Sequence, residues 1–203
     1  GLTETRAQIL SNPLPPKTRK IGSPGIGYGN EIMIADDNQN PLAAHEEGEI
    51  MVRGSNVMQG YLDRPEETAK TITADGWLRT GDLGRMDEDG FVFVTGRIKE
   101  LIIKGGENIA PREVDEALLE HDAVLEAAAF ARPCQDYGQR VEACVRLKDG
   151  RTVSENDLRE FCKNLLGAYK TPDHIHFLDD LPKGPSGKIQ RMKLIDLAPA
   201  AND

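Results

Sequence analysis

Short apolar runs separated by turn chemistry fill the first half of the chain. Glu31 to Ala35 and Glu49 to Arg53 read as strands, while Asp36-Asp37-Asn38 and Asp87-Glu88-Asp89-Gly90 carry the side chains of tight turns. One helix interrupts them: Asp63 and Pro65 supply a start signal, and Glu66 and Glu67 in its first turn favour the positive end of the helix dipole. From Lys99 the pattern changes. Leu101 to Lys104 and Glu107 to Ala110 flank Gly105-Gly106, a pair able to take the positive φ angles of a two-residue hairpin turn. Pro111 opens a helix with Val114, Ala117 and Leu118 on one face. Val141, Ala143, Val145 and Leu147 alternate with more polar residues as in a half-buried strand, ended by Asp149-Gly150. Ser154-Glu155-Asn156-Asp157 has the form of a capping box, and Leu158, Phe161, Cys162, Leu165 and Leu166 follow at helical spacing.

This pattern predicts an α+β chain in two parts, a small β-barrel-like subdomain over residues 1–98 and an α+β domain over residues 99–203, the boundary itself resting on the motif at Arg97 to Lys99. No Gly/Ser linker separates the parts, and no internal repeat or low-complexity run is present.

Composition narrows the partners. With 203 residues, 38% of them hydrophobic, the chain has material for packed cores. A formal net charge of -9 argues against a general nucleic-acid or anionic-membrane surface, so nucleotide binding has to be local. No apolar run approaches the ~18 residues of a membrane span, and no signal-peptide pattern opens the chain, which predicts a cytoplasmic protein. Cys134, Cys144 and Cys162 are odd in number and lack metal-ligand spacing, so neither a disulfide framework nor a zinc site is expected.

Candidate chemistry is concentrated in a few short segments. Lys188 ends the stretch Leu181-Pro182-Lys183-Gly184-Pro185-Ser186-Gly187-Lys188, where a flexible loop can carry an ammonium to a site of developing phosphoryl charge. The stretch is not a P-loop, because Pro182 stands where the first glycine belongs and Ile189 where Ser or Thr belongs. Thr80-Gly81-Asp82 is by itself a turn; its carboxylate could also accept hydrogen bonds from both hydroxyls of a ribose. Gly25-Ile26-Gly27-Tyr28-Gly29 is not a dinucleotide fingerprint and reads as loop. His45, His121, His174 and His176 are scattered, and the last two share one strand face without a third ligand, so they read as structural or exposed.

Taken in order, Thr3-Glu4, Gly48-Glu49-Ile50, Gly60-Tyr61, Thr80-Gly81-Asp82, Gly96-Arg97-Ile98-Lys99, Lys104-Gly105-Gly106-Glu107-Asn108 and Pro185-Ser186-Gly187-Lys188 resemble the distal half of the adenylate-forming superfamily. That superfamily includes acyl-CoA synthetases, luciferases and peptide-synthetase adenylation domains. The resemblance implies the C-terminal part of such an enzyme, the second domain serving as a mobile lid. It implies that Lys188 drives adenylation, that Asp82 and Arg97 bind the ribose of ATP, that Thr3 contacts its phosphates, and that Glu4 binds Mg²⁺. It further implies that Lys99 is the hinge of the lid, where a solvated side chain leaves the backbone free to turn. Gly105 and Gly106 would let the pantetheine arm of CoA pass close to the backbone. The cofactors implied are ATP, Mg²⁺ and CoA, and the substrate is a small-molecule carboxylate. Gly184 departs from the usual Thr of the Lys188 signature, outside the reactive position.

Neither the family's Ser/Thr/Gly-rich phosphate loop nor most of its acyl pocket is found in the sequence, which predicts a fragment lacking the N-terminal part of the enzyme and inactive alone. Ser11-Asn12-Pro13-Leu14-Pro15-Pro16 resembles a loop of oxalate-CoA ligases, although Ala7 stands where those enzymes carry His; oxalate, short- or medium-chain and aryl acids all remain open as substrates. An adenylation domain serving a carrier protein, a luciferase-like enzyme and a non-catalytic fragment are the alternatives.

Overall fold

The computed structural model describes residues 1–6 and 8–199; Ala7, on which the departure from oxalate-CoA ligases rests, lies outside them. The chain divides into two compact units, Gly1–Ile98 and Lys99–Asp203.

In the first unit β1 (Leu10–Ser11) and β2 (Ile26–Gly27) form a short antiparallel ribbon. A meander follows: β3 (Glu31–Ala35), β4 (Gly48–Arg53), β5 (Leu78–Met86) and β6 (Val92–Arg97) pair antiparallel in chain order, with α1 (Pro65–Thr71) between β4 and β5. The barrel-like part takes the form of an open sheet, because β3 and β6 are edges and no pairing joins them among the described residues. Ile34, Ile50 and Val92 make its core, with Leu10, Ile32, Leu42 and Met86 packed against them. Gly25 explains the glycine-rich stretch: a Cβ on it would lie 2.0 Å from the backbone carbon of Ser11, and its carbonyl accepts the Val92 N–H at 3.0 Å. Gly25 and Gly27 serve close backbone approach, whereas Gly29, at φ 69° with open space around it, serves a left-handed turn.

The second unit is a five-stranded sheet. The hairpin β7 (Ile102–Lys104) and β8 (Glu107–Ile109) precedes α2 (Pro111–Leu119); β9 (Val124–Cys134) and β10 (Gly138–Leu147) pair antiparallel. Then α3 (Glu155–Leu166) carries the chain across to β11 (His174–Phe177), which pairs parallel with β10 as a βαβ crossover requires. Alternate residues of β9 enter two cores. Ala127 and Ala129 join Val114, Leu118, Leu158 and Cys162 under the helices, whereas Ala128 and Phe130 meet Cys144, Leu181 and Leu194 of the C-terminal segment that ends in α4 (Leu194–Leu197). Pro111 sits at the start of α2, and Val114, Ala117 and Leu118 are buried, so the sequence pattern marks the helix face correctly. Ser154 caps α3 by accepting the Asp157 N–H, and its own hydroxyl donates to the Asp157 carboxylate at 2.7 Å.

Candidate functional site

The Thr80-Gly81-Asp82 triplet lies on β5 between β4 and β6. Gly81 has φ 70°, in the left-handed region that side chains rarely adopt, and the β5 register is irregular on both sides of it. Two β4 contacts fix this bent backbone. The Thr80 hydroxyl donates to the Ile50 carbonyl at 2.7 Å and accepts the Asp82 N–H at 3.1 Å. Glu49, buried in the sheet, accepts the Gly81 N–H at 3.0 Å on one oxygen and Arg79 Nε at 2.9 Å on the other. Asp82 is therefore aimed by backbone held at both preceding residues. Across the strand pair its partner is Arg97, whose Nε reaches Asp82 Oδ1 at 2.7 Å. The structure thus brings together the two residues expected to hold a ribose.

Thr3 and Glu4 stand on a separate 3₁₀ turn, Thr3–Thr5. Met58 N–H donates to the Glu4 carbonyl at 2.8 Å, and Asn56 Nδ2 donates to the carbonyls of Thr5 and Gln8, both at 3.0 Å. The Tyr61 hydroxyl donates to Glu4 Oε1 at 3.0 Å. Burial and the adjacent Glu4 carboxylate push the Tyr61 hydroxyl above its ordinary value, which keeps it a donor. Thr3 itself is exposed.

In the second unit Gly105 and Gly106 form the hairpin turn, with φ 55° and 89° and Lys104 paired to Glu107. The turn rests on aromatic side chains: a Cβ on Gly105 would meet Tyr169 Oη at 3.3 Å and a Tyr137 ring carbon at 3.4 Å. Lys104 is buried beneath it. Its ammonium contacts Asp173 at 3.1 Å and donates to the Tyr169 carbonyl at 3.3 Å, while the Tyr169 hydroxyl donates back to the Lys104 carbonyl.

Lys188 lies on its own small hairpin. Lys183 and Ile189 form an isolated bridge, Gly184 N–H donates to the Lys188 carbonyl at 2.8 Å, and Gly187 N–H donates to the Gly184 carbonyl at 2.9 Å. Pro185 occupies the second position of that turn and Gly187, at φ 78°, closes it, a turn with a glycine bulge rather than an open coil. The Lys188 side chain is exposed, with no ion-pair partner among the described residues. Lys99, also exposed, occupies the single 3₁₀ turn Ile98–Glu100.

The nearest buried charge to Lys188 in sequence is Arg191. Its Nη2 pairs with Asp115 Oδ2 at 2.7 Å, Nη1 with Asp115 Oδ1 at 3.2 Å and with the Ala129 carbonyl, and Nε with Glu100 at 3.1 Å. Burial disfavours the Arg191 charge, but the hydrogen bonds to Asp115 outweigh it and hold the guanidinium above its ordinary value. Glu49, Tyr61 and Lys104 lie inside motif-like segments without a role of their own in the sequence, and Asn56, Tyr169 and Arg191 lie outside those segments.

Comparison with known proteins supplies the context. The family model described as AMP-binding enzyme matches residues 1–62, and that described as AMP-binding enzyme C-terminal domain matches residues 113–188. A sulfoacetate–CoA ligase of Cupriavidus necator is 50% identical over 198 residues, covering 98% of this chain and 39% of that protein. An oxalate–CoA ligase of Saccharomyces cerevisiae is 44% identical over 192 residues, covering 94% of this chain and 35% of that protein. Among solved structures, ATP-bound MatB from Rhodopseudomonas palustris superimposes with a TM-score of 0.91 at 34% identity, covering 97% of this chain and 39% of that one. The chain spans about two fifths of the length of the proteins it matches.

Proposed function

This chain belongs to the AMP-binding, adenylate-forming enzyme family, and from that premise we propose that it is the distal part of an AMP-forming carboxylate–CoA ligase. In the first step a carboxylate oxygen attacks the α-phosphorus of ATP, and the bond to pyrophosphate breaks. In the second the CoA thiol attacks the acyl carbon of the mixed anhydride, the thiol proton is released and AMP leaves. The observation that carries the reading is the fixed Asp82–Arg97 pair on β5 and β6, since a preorganised, half-buried carboxylate beside an exposed guanidinium suits a vicinal diol.

In this proposal Asp82 accepts the ribose hydroxyls while Arg97 sets the angle of its carboxylate. Thr3 lies on the turn that meets the phosphates. Among the described residues no three His, Cys, Asp or Glu side chains gather to hold a metal. Glu4 supplies one hard oxygen ligand, its other oxygen occupied by Tyr61, and this fits Mg²⁺, which usually takes one or two carboxylates and completes its shell with phosphates and water. When bound, Mg²⁺ would neutralise phosphate charge. Lys188 brings an ammonium to the charge that develops at the α-phosphate. Lys99 is the hinge about which the second unit, acting as a lid, alternates between the two steps, and Gly105-Gly106 gives the pantetheine arm a path free of side chains.

Relatives named for sulfoacetate, oxalate and 2-succinylbenzoate favour an acid with a second anionic group. No helix among the described residues is long and apolar enough to cross a membrane. Three free cysteines, two of them buried, suit the reducing cytoplasm.

The test is Lys188→Ala in the full-length enzyme that carries this chain. Carboxylate-dependent pyrophosphate exchange is expected to fall by ~100-fold or more, the loss typical of removing one group that stabilises transition-state charge. Thioester formation from supplied acyl-adenylate is expected to persist; equal loss of both would remove the assignment.

A further inference from the structure

The Lys188 hairpin closes on backbone hydrogen bonds, and these shape the turn without fixing where the whole turn sits. Its two roots do that. On one side Leu181 is buried against Ala128 and Phe130, and beyond it Lys183 makes ion pairs with Glu126 and Asp180, both at 2.9 Å, which water screens. On the other side, three residues past Lys188, Arg191 is sunk into the unit with its side chain 15% exposed. One guanidinium there meets three elements: Asp115 of α2 through two parallel bonds, the Ala129 carbonyl of β9, and Glu100 of the turn that contains Lys99. Asp115 is itself held, its Oδ1 accepting the Ala129 N–H at 2.5 Å. The planar fork of arginine satisfies this arrangement, and the point charge of a lysine cannot reach all three acceptors.

We propose that Arg191 is a positioning residue for adenylation, fixing the root of the Lys188 hairpin and tying it through Glu100 to the residue beside the hinge. This rests on the roles proposed above for Lys188 and Lys99. Mechanically, a rotation at Lys99 turns Glu100, and the Glu100–Arg191–Asp115 bonds make the Lys188 hairpin part of the same rigid body. Without them the hairpin root can shift while its turn stays intact, and a misplacement of ~1 Å at a reacting group costs on the order of 100-fold in rate.

The experiment compares Arg191→Lys, Glu100→Gln and Lys188→Ala in the full-length enzyme, each assayed for pyrophosphate exchange and, separately, for thioester formation from supplied acyl-adenylate. Arg191→Lys retains a cation beside Asp115; Glu100→Gln cuts only the link to the hinge turn and carries the test if Arg191→Lys does not fold. The expected result is a fall of ~10–100-fold in kcat for exchange, a KM for ATP changed by less than about threefold, and an unchanged thioester step. A merely structural role would lower both steps together, and that result, or full exchange activity in both variants, overturns the proposal. If Lys188→Ala loses exchange while the other two retain it, only the positioning role fails; if Lys188→Ala retains exchange, the Lys188 reading fails and takes the positioning role with it.

Discussion

Glu142→Gln should destabilise the second unit severely. Glu142, on β10, is fully buried, yet its carboxylate takes three charged or polar donors: Arg132 Nε at 2.6 Å and His176 Nε2 at 2.9 Å on Oε2, and Arg140 Nε at 2.9 Å on Oε1. Gln has the same shape but only one acceptor oxygen, so its NH₂ must face one of these donors, and the buried Arg132 guanidinium loses the carboxylate it pairs with. Breaking a buried ion pair by removing one partner costs about 3–5 kcal/mol. Urea unfolding can be followed by the reaction of Cys144 and Cys162, both buried in this unit. With a urea slope of ~1–3 kcal/mol/M, the midpoint should fall by about 1 M or more. The effect is also pH-dependent. Burial alone would push the Glu142 carboxyl up, but Arg132, His176 and Arg140 together hold it below its ordinary value of 4.5. Because the folded value is depressed, its stabilisation is fully present above that ordinary value and is lost as pH falls through the folded one. The gap between the two proteins should stay constant from neutrality to about pH 5 and narrow below it. A midpoint shift under ~0.3 M, or a gap that widens in acid, would refute the cluster as a buried ion network.

Two further outcomes test the packing. Gly48→Ala would place a Cβ 2.2 Å from the Ala35 carbonyl oxygen and 2.7 Å from Leu42 Cδ1, so β3 must move; a loss of about 3 kcal/mol is expected in urea unfolding, and one below ~0.5 kcal/mol would contradict the contact. Burial pushes the Cys144 and Cys162 thiols up to about 11, so at pH 8 a thiol reagent should modify Cys134 alone in the folded chain and all three after unfolding; rapid native reaction of three thiols would contradict the burial.

Legibility in the sequence followed how local each determinant was. Pro111, Ser154 and Gly105-Gly106 act on their own neighbours, and the elements they predicted are present. The run Glu126-Ala127-Ala128-Ala129 gave no strand signal, because alanine has weak β preference; it forms β9 only because cores on both faces need small side chains. The proposed site residues stand in short motifs, while the contacts that hold them are not local. Glu49 and Arg191 act on residues 32 and 76 positions away in sequence, on Gly81 and Asp115, and no spacing rule links such pairs.

The Glu49 contact has a bearing on protein engineering. Thr80-Gly81-Asp82 can be transplanted as three letters, but its bend is held by a carboxylate and a carbonyl belonging to β4. A chimera whose junction falls between Arg53 and Leu78 would join the strand that carries Asp82 to a foreign neighbour, and would inherit the motif without its conformation. Crossover points for recombining chains of this fold therefore belong before Gly48 or after Arg97, where strands β4 to β6 pass from parent to offspring together.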